Sequence, residues 1–469
     1  MDDETLAYLP AREIAQLIAN GDLSAVEVMD ATIRRAERLQ PALNFIAVER
    51  YEKAREESRA AASLVAARQP LGPLHGVPIT IKDNIATQGD LLTNGSHAFE
   101  NVVPVASATL AARLKAAGAI VFAKTTLPEL AHKMLTDSPR YGITRNPWSL
   151  THTPGGSSGG ASAAVAAGLG PIAIGTEGGG SIRCPASCAG LLGIKATLGR
   201  IPGEFFPEGF ANFAFCGPLA RDVSDLTLAV SVMSGEEPRD PHTLGIGPMA
   251  TPPFSTAVPD LRSMRIGWMP TFGRYQPDAA VAALTEASVR GLQTDGAASV
   301  EEVRTHIFDD VFDYYVVIAT ASRASGVPPL LERFGNRMSD SIKDMVRQGS
   351  TYSAVQWQQA SDRRTALFRD VQALLQQYDV LAMPTLMAPP KLVDAGGVMN
   401  SAMYAQWCAP LYAFNLTGHP ALSVPAGWTS DGLPVGIQFV GRWYDEPRLL
   451  QIARWLELSR PWAQRRPKV

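Results

Sequence analysis

The sequence predicts an α/β protein whose sheet is covered by helices on both faces. Two patterns carry that expectation. Short apolar runs of strand length alternate with segments of helical spacing: residues 108–118 lead into the apolar run 119–123, and the small, apolar stretch 161–175 reads as a buried helix followed by a buried strand. At 469 residues, 46% hydrophobic and 19% charged, the chain also has enough apolar material for a large core.

Taken in order, the first forty residues read as two helices. Ser24 and Glu27 stand in capping-box spacing, and Val26, Met29, Ile33 and Ala36 then keep one apolar face. Residues 44–48 are a predicted strand, and 50–69 an Ala/Glu/Arg-rich helix ended by Pro70 and Gly72. Residues 76–81 form an apolar strand that leads into Lys82, Asp83 and Asn84, and 136–158 are rich in turn formers. A strand at 191–195 and a helix at 223–234 flank GEFFPEGFANFAF, whose five phenylalanines, interrupted by proline and glycine, fit no regular element. Residues 240–262 read as a surface connection, 264–268 as a strand, 278–296 as a helix, about 300–378 as a mostly helical region and 379–383 as a buried strand. The end reads strand (422–425), strand (436–440), helix (446–458). No period of 20 to 50 residues recurs, which excludes a solenoid. One domain over 1–469 is expected.

The chemistry concentrates in residues 151–190. Ser157 stands in GGSSGG and Ser181 ends EGGGS. Gly178, Gly179 and Gly180 permit consecutive N–H groups to turn toward one point, as an oxyanion hole beside a nucleophile requires. Gly/Ser runs are commonly flexible linkers, but these alternate with core-type sequence. Upstream, Lys82 ends an apolar strand, where poor hydration lowers an amine's pKa toward that of a usable base; an ordinary edge lysine is the competing reading. Residues 155–159 also fit the G-x-S-x-G elbow, but an elbow needs a strand before it and residues 151–154 read as a turn. Among the seven histidines, His75 lies near Lys82 in sequence and would be the alternative base.

These segments resemble the amidase signature hydrolases. GGSSGG, the small residues after it and GTEGGGSIRCPA resemble that family's Gly/Ser signature, and GVPITIKDN resembles the segment carrying its lysine. The 75 residues from Lys82 to Ser157 and the 24 from Ser157 to Ser181 are typical of it. NPWSLTHTPGGSS, GLLGIKATLGRIP, GPLARDVSDL and PALSVPAGWTSDGLPVGIQFVGR add to the likeness, which is strong over about 71–230, recognisable over about 376–458 and weak between.

The resemblance implies a single large mixed sheet. It implies Ser181 as the acylated nucleophile, Ser157 relaying its proton through a cis peptide after Gly156, and Lys82 as the base. The N–H groups of Gly178, Gly179, Gly180 and Ser181 would face the oxyanion. The implied reaction is hydrolysis of small linear or aryl amides, extending to esters or carbamates, with no cofactor. The alternative in the same family is the glutamine-hydrolysing component of a tRNA-dependent amidotransferase, against which the aromatic stretch FPEGFANFAFCGPLARDV favours a free-standing enzyme. A catalytically silent binding module is disfavoured because all three catalytic positions carry the required residue types. The family usually has aspartate where this chain has Glu177, which reads as a charge fixing the glycine loop; Asp83 and Arg183 read as supports. Phe210, Phe213 and Met134 are candidates for an apolar substrate pocket.

A net charge of −3 without a basic stripe argues against nucleic acid as a partner. Cys184, Cys188, Cys216 and Cys408 are too few for a disulfide scaffold and lack zinc-site spacing, so free buried thiols and no metal are expected. The acidic start MDDETLAYLP lacks the features of a secretory signal, and no apolar run reaches membrane-spanning length, which makes the cytoplasm the default expectation. A homodimer is left open.

Overall fold

The computed structural model describes residues 2–210, 212–250, 257–296, 298–396 and 401–469. Its strands are β1 (Ile46–Glu49), β2 (Pro78–Lys82), β3 (Ile120–Thr125), β4 (Asp137–Ser138), β5 (Gly142–Ile143), β6 (Ile172–Glu177), β7 (Leu192–Lys195), β8 (Phe215–Ala220), β9 (Arg265–Trp268), β10 (Ser299–Glu302), β11 (Val380–Pro384), β12 (Ala421–Trp428) and β13 (Pro434–Gly441). Eleven of them form one mixed sheet in the order β1-β3-β2-β6-β8-β7-β12-β13-β11-β9-β10, with helices on both faces; β4 and β5 pair separately. The predicted α/β class with a single large mixed sheet is therefore the observed one.

Third from one edge of this sheet, β2 runs parallel to both neighbours, with Ile79 opposite Ile172 and Ile81 opposite Ile174. Every residue of β2, β3 and β6 is buried, which is why these strands read as continuous apolar runs rather than alternating ones. Because β2 and β6 are parallel neighbours, Lys82 and Glu177 emerge from the same edge of the sheet. The wholly buried helix Gly159–Ala166 packs close to that edge. Its glycines are required by close approach, since a Cβ on Gly160 would stand 2.5 Å from the Thr126 amide nitrogen.

The predicted capping box forms: Ser24 Oγ accepts from Val26 N at 3.2 Å and Glu27 Oε2 from Ser24 N at 2.8 Å. The chain opens with three helices rather than two, Asp3–Ala7, Ala11–Asn20 and Ala25–Leu43. Asn44 then takes a left-handed cap (φ 51°), which delays the first strand to Ile46. The phenylalanine-rich stretch is only partly the expected loop. From Phe215 it becomes β8, a buried central strand whose Gly217 and Pro218 disguised it. The edge strand β10 and the helices Arg183–Ala189, Ala402–Trp407 and Ala409–Thr417 have no counterpart in the sequence reading. Residues 251–256 of the expected surface connection lie outside the described residues.

The helices Val311–Gly326, Asp340–Gly349 and Ala354–Gln377 fill the region about 300–378. With Ala409–Thr417 they enclose a second apolar core in which Phe272 stacks on Phe308 and Tyr315 leans on Tyr412. No helix of the described residues is long and apolar enough to cross a membrane.

Candidate active site

Lys82 is fully buried at the end of β2. Its Nζ lies 2.7 Å from Ser157 Oγ, 3.0 Å from Ser158 Oγ and 3.1 Å from the Thr176 carbonyl. The adjacent carboxylate is not its partner. Asp83 forms a buried ion pair with Lys124 at 2.9 Å and accepts from the Thr93 amide and hydroxyl. With no counter-ion in contact, burial pushes the Lys82 ammonium well below the ordinary lysine range; Glu177 opposes the shift and Arg323 adds to it.

Donors and acceptors around this amine are constrained by its neighbours. The Ser158 hydroxyl donates to the Thr176 carbonyl at 3.2 Å, so it accepts from Lys82. A neutral amine has two N–H bonds, which Ser158 Oγ and the Thr176 carbonyl take up. Its lone pair is left facing the Ser157 O–H. Ser158 is the member of this cluster that sequence reasoning missed; the second serine of GGSSGG was its only signal.

The two candidate serines are held by their backbones. The Gly156–Ser157 peptide is cis, and a side chain on Gly156 would collide with the Met134 carbonyl carbon at 2.6 Å. Ser158 N donates to the Ser181 carbonyl at 3.2 Å, which ties the two serine-bearing segments together. The Ser181 hydroxyl is directed at Met134 Sδ, 3.8 Å away, rather than at Ser157. Met134 is buried and so forms the floor beside Ser181. His75, the alternative base, contacts the Ala61 carbonyl at 3.0 Å, away from both serines.

Gly178, Gly179 and Gly180 make the turn between β6 and Ser181. Gly180 adopts φ 117°, a region that favours glycine, and a Cβ on Gly179 would lie 2.1 Å from the Tyr315 hydroxyl. Among the described residues, the amides of Gly179, Gly180 and Ser181 have no acceptor outside the strand ladders, so they are available to a ligand oxygen. Glu177 anchors this turn. Its Oε2 accepts from the amides of Ile182 (3.0 Å) and Arg183 (3.2 Å), and its Oε1 accepts from the Arg183 Nε (2.8 Å) and Nη2. Arg183, fully buried, continues to Gln438, Asn415 and the Leu411 carbonyl. The longer carboxylate thus fixes the glycine loop from behind.

A cavity of about 910 Å³ lies between the helices Val311–Gly326 and Ala354–Gln377, with Phe213, Ile318, Phe368, Leu416 and Trp443 on its walls. Phe213 is half-buried there, and Phe210, 76% exposed, lines the same cavity at its rim. Asn415 links the backbone beside this cavity to the support of the glycine turn, donating to the Phe213 carbonyl (3.2 Å) and accepting from Arg183 (2.6 Å). The four cysteines are buried and free, and no group of three or more His, Cys, Asp or Glu that could hold a metal occurs among the described residues.

The family model described as Amidase matches residues 27–450. The acylamidase of Rhodococcus erythropolis is 31% identical over 483 residues, spanning all of this chain and 98% of its own. A component of the glutamyl-tRNA(Gln) amidotransferase of Chloroflexus aggregans is 34% identical over 487 residues, 98% of each chain. A solved bacterial aryl acylamidase superposes with a TM-score of 0.89 at 28% identity, over 97% of each chain.

Proposed function

Because the chain belongs to the amidase signature family and hydrolyses amide bonds, we propose that the reaction runs through an acyl-enzyme on Ser181, with Ser157 as the proton relay and Lys82 as the base. The observation that carries this reading is the buried Lys82 amine, without a contacting carboxylate, 2.7 Å from Ser157 Oγ.

On binding, the substrate carbonyl seats its oxygen against the amides of Gly178, Gly179, Gly180 and Ser181 and displaces the Ser181 hydroxyl from Met134. Ser157 takes the Ser181 proton as its own passes to Lys82 Nζ, and Ser181 Oγ bonds to the carbonyl carbon. The amide-loop donors stabilise the developing oxyanion, each contributing on the order of a hundredfold in rate. Lys82 returns its proton through Ser157 to the leaving nitrogen. Water then hydrolyses the ester by the same route in reverse.

Small linear or aryl amides are the proposed substrates, with Phe213 and the adjoining cavity receiving the apolar part and Met134 beside the reacting carbon. The whole of 1–469 is read as one domain in which about 300–378 supplies the substrate wall, working in the cytoplasm with a homodimer left open. The likeness to the amidotransferase component supports a second reading, glutamine hydrolysis inside an assembly. Assay of the purified chain on acetanilide and on glutamine separates the two. Turnover of the anilide, lost in Ser181→Ala, is expected; turnover confined to glutamine and dependent on a partner would replace the first reading with the second.

A further inference from the structure

Arg323 belongs to the helix Val311–Gly326, partly buried, and its guanidinium has no carboxylate or carbonyl partner among the described residues. Carboxylates around the glycine turn and the Met134 segment have partners of their own: Glu129 binds Ser96 and Ser339, Asp137 binds Lys133, and Glu177 binds Arg183. Two turns earlier on the same helix Tyr315 presses its hydroxyl against Gly179. Eight residues correspond to about 12 Å along the axis, and helical side chains lean back toward the N-terminus, so an extended arginine covers much of that distance. The Arg323 charge is accordingly felt at Lys82, His132 and Tyr315. The apolar cavity uses another stripe of this helix, Ile318, Ala321, Ser322 and Ser325, from which Arg323 is offset.

A partly desolvated guanidinium without an anion loses hydration and gains nothing in return. Such a group persists where a ligand supplies the charge, and its planar fork matches a carboxylate. We propose that Arg323 is a specificity residue that binds a carboxylate carried by the substrate a few bonds from the scissile carbonyl, so that anionic amides are preferred over neutral ones of the same shape. This rests on the hydrolase reading above.

The test is kcat/KM for two matched pairs, 4-acetamidobenzoate with acetanilide and succinamate with butanamide, in the wild type and in Arg323→Met and Arg323→Lys. The anionic-to-neutral ratio should fall about 10- to 100-fold in Arg323→Met and recover in part in Arg323→Lys. A ratio unchanged in both pairs overturns the assignment. Calorimetric binding of the same compounds to Ser181→Ala, with and without Arg323→Met, reads the contact independently of turnover. Loss of carboxylate affinity in the double variant keeps Arg323 as the anion site even if the wild type hydrolyses none of the four, an outcome that would sink the hydrolase reading alone. Equal affinity in both backgrounds sinks Arg323.

Discussion

Replacing Glu177 by glutamine keeps the side chain's shape and removes half of its accepting capacity. Four donors converge on the two carboxylate oxygens, the Ile182 and Arg183 amides on one and the Arg183 Nε and Nη2 on the other. A glutamine amide has one oxygen, so whichever way it flips its NH2 group faces two donors. At least two charge-assisted hydrogen bonds are lost, at about 1.5–3 kcal/mol each, and Arg183, fully buried, loses its counter-ion. Both routes lead to a cost of about 3–5 kcal/mol, a large part of the 5–15 kcal/mol of a typical domain. If the amide oxygen stays with the guanidinium, the turn after Ser181 loses its cap, and a displacement on the order of 1 Å there would lower acylation about a hundredfold. Denaturant unfolding measured beside single-turnover acylation reads both effects. A Glu177→Gln variant within about 1 kcal/mol of wild type and with full acylation rate would refute the view that this carboxylate holds the glycine turn.

Ser158→Ala removes one of the three oxygen acceptors around Lys82 Nζ. An ammonium needs all three and a neutral amine only two, so the rising limb of kcat/KM against pH should move to lower pH, with the maximal rate reduced; a limb that stays in place contradicts the hydrogen-bond assignment. Gly179→Ala should lower the acylation rate because its methyl meets the Tyr315 hydroxyl, and Tyr315→Phe should restore part of the loss. No recovery in the double variant argues against that contact as the cause. His132 and His419 are both pushed down to about 3, chiefly by burial. Since the unfolded imidazole takes its proton near pH 6.5 and the folded one does not, the unfolded state binds more protons below that pH and stability falls as pH drops. The loss between pH 7 and 5 is about 2 kcal/mol per histidine, and His132→Gln should show a correspondingly smaller pH dependence of unfolding than wild type.

The strands that end at Lys82 and Glu177 were legible in the sequence because burial on both faces leaves a mark. The runs ending at Lys82 and Glu177 are apolar without alternation, and glycines gather where backbone and side chain must approach closely. Lys82, Ser157 and Ser181 could be named from the sequence, but Ser158 as a second Lys82 partner could not, since its role depends on a carbonyl 18 residues away. β8 escaped because its Gly217 and Pro218 weaken strand propensity while the ladder around them supplies the stability. The helix Ala409–Thr417, buried all round, has no amphipathic period to read. Composition reports that the loop before β8 is aromatic, but not that Phe213 is half-buried while Phe210 is mostly exposed.

The position of β2 and β6 side by side in the sheet has a consequence for how this scaffold diverges. The proposed base ends the buried strand β2 and the proposed nucleophile follows the glycine turn after β6, whereas the proposed substrate walls belong to helices far along the polypeptide. Selection can therefore redraw the walls, residue by residue, without retuning the amine beneath. Grafting the helical segment of a relative onto this sheet should transplant preference while sparing reactivity, a division of labour that gives the architecture room to acquire new substrates.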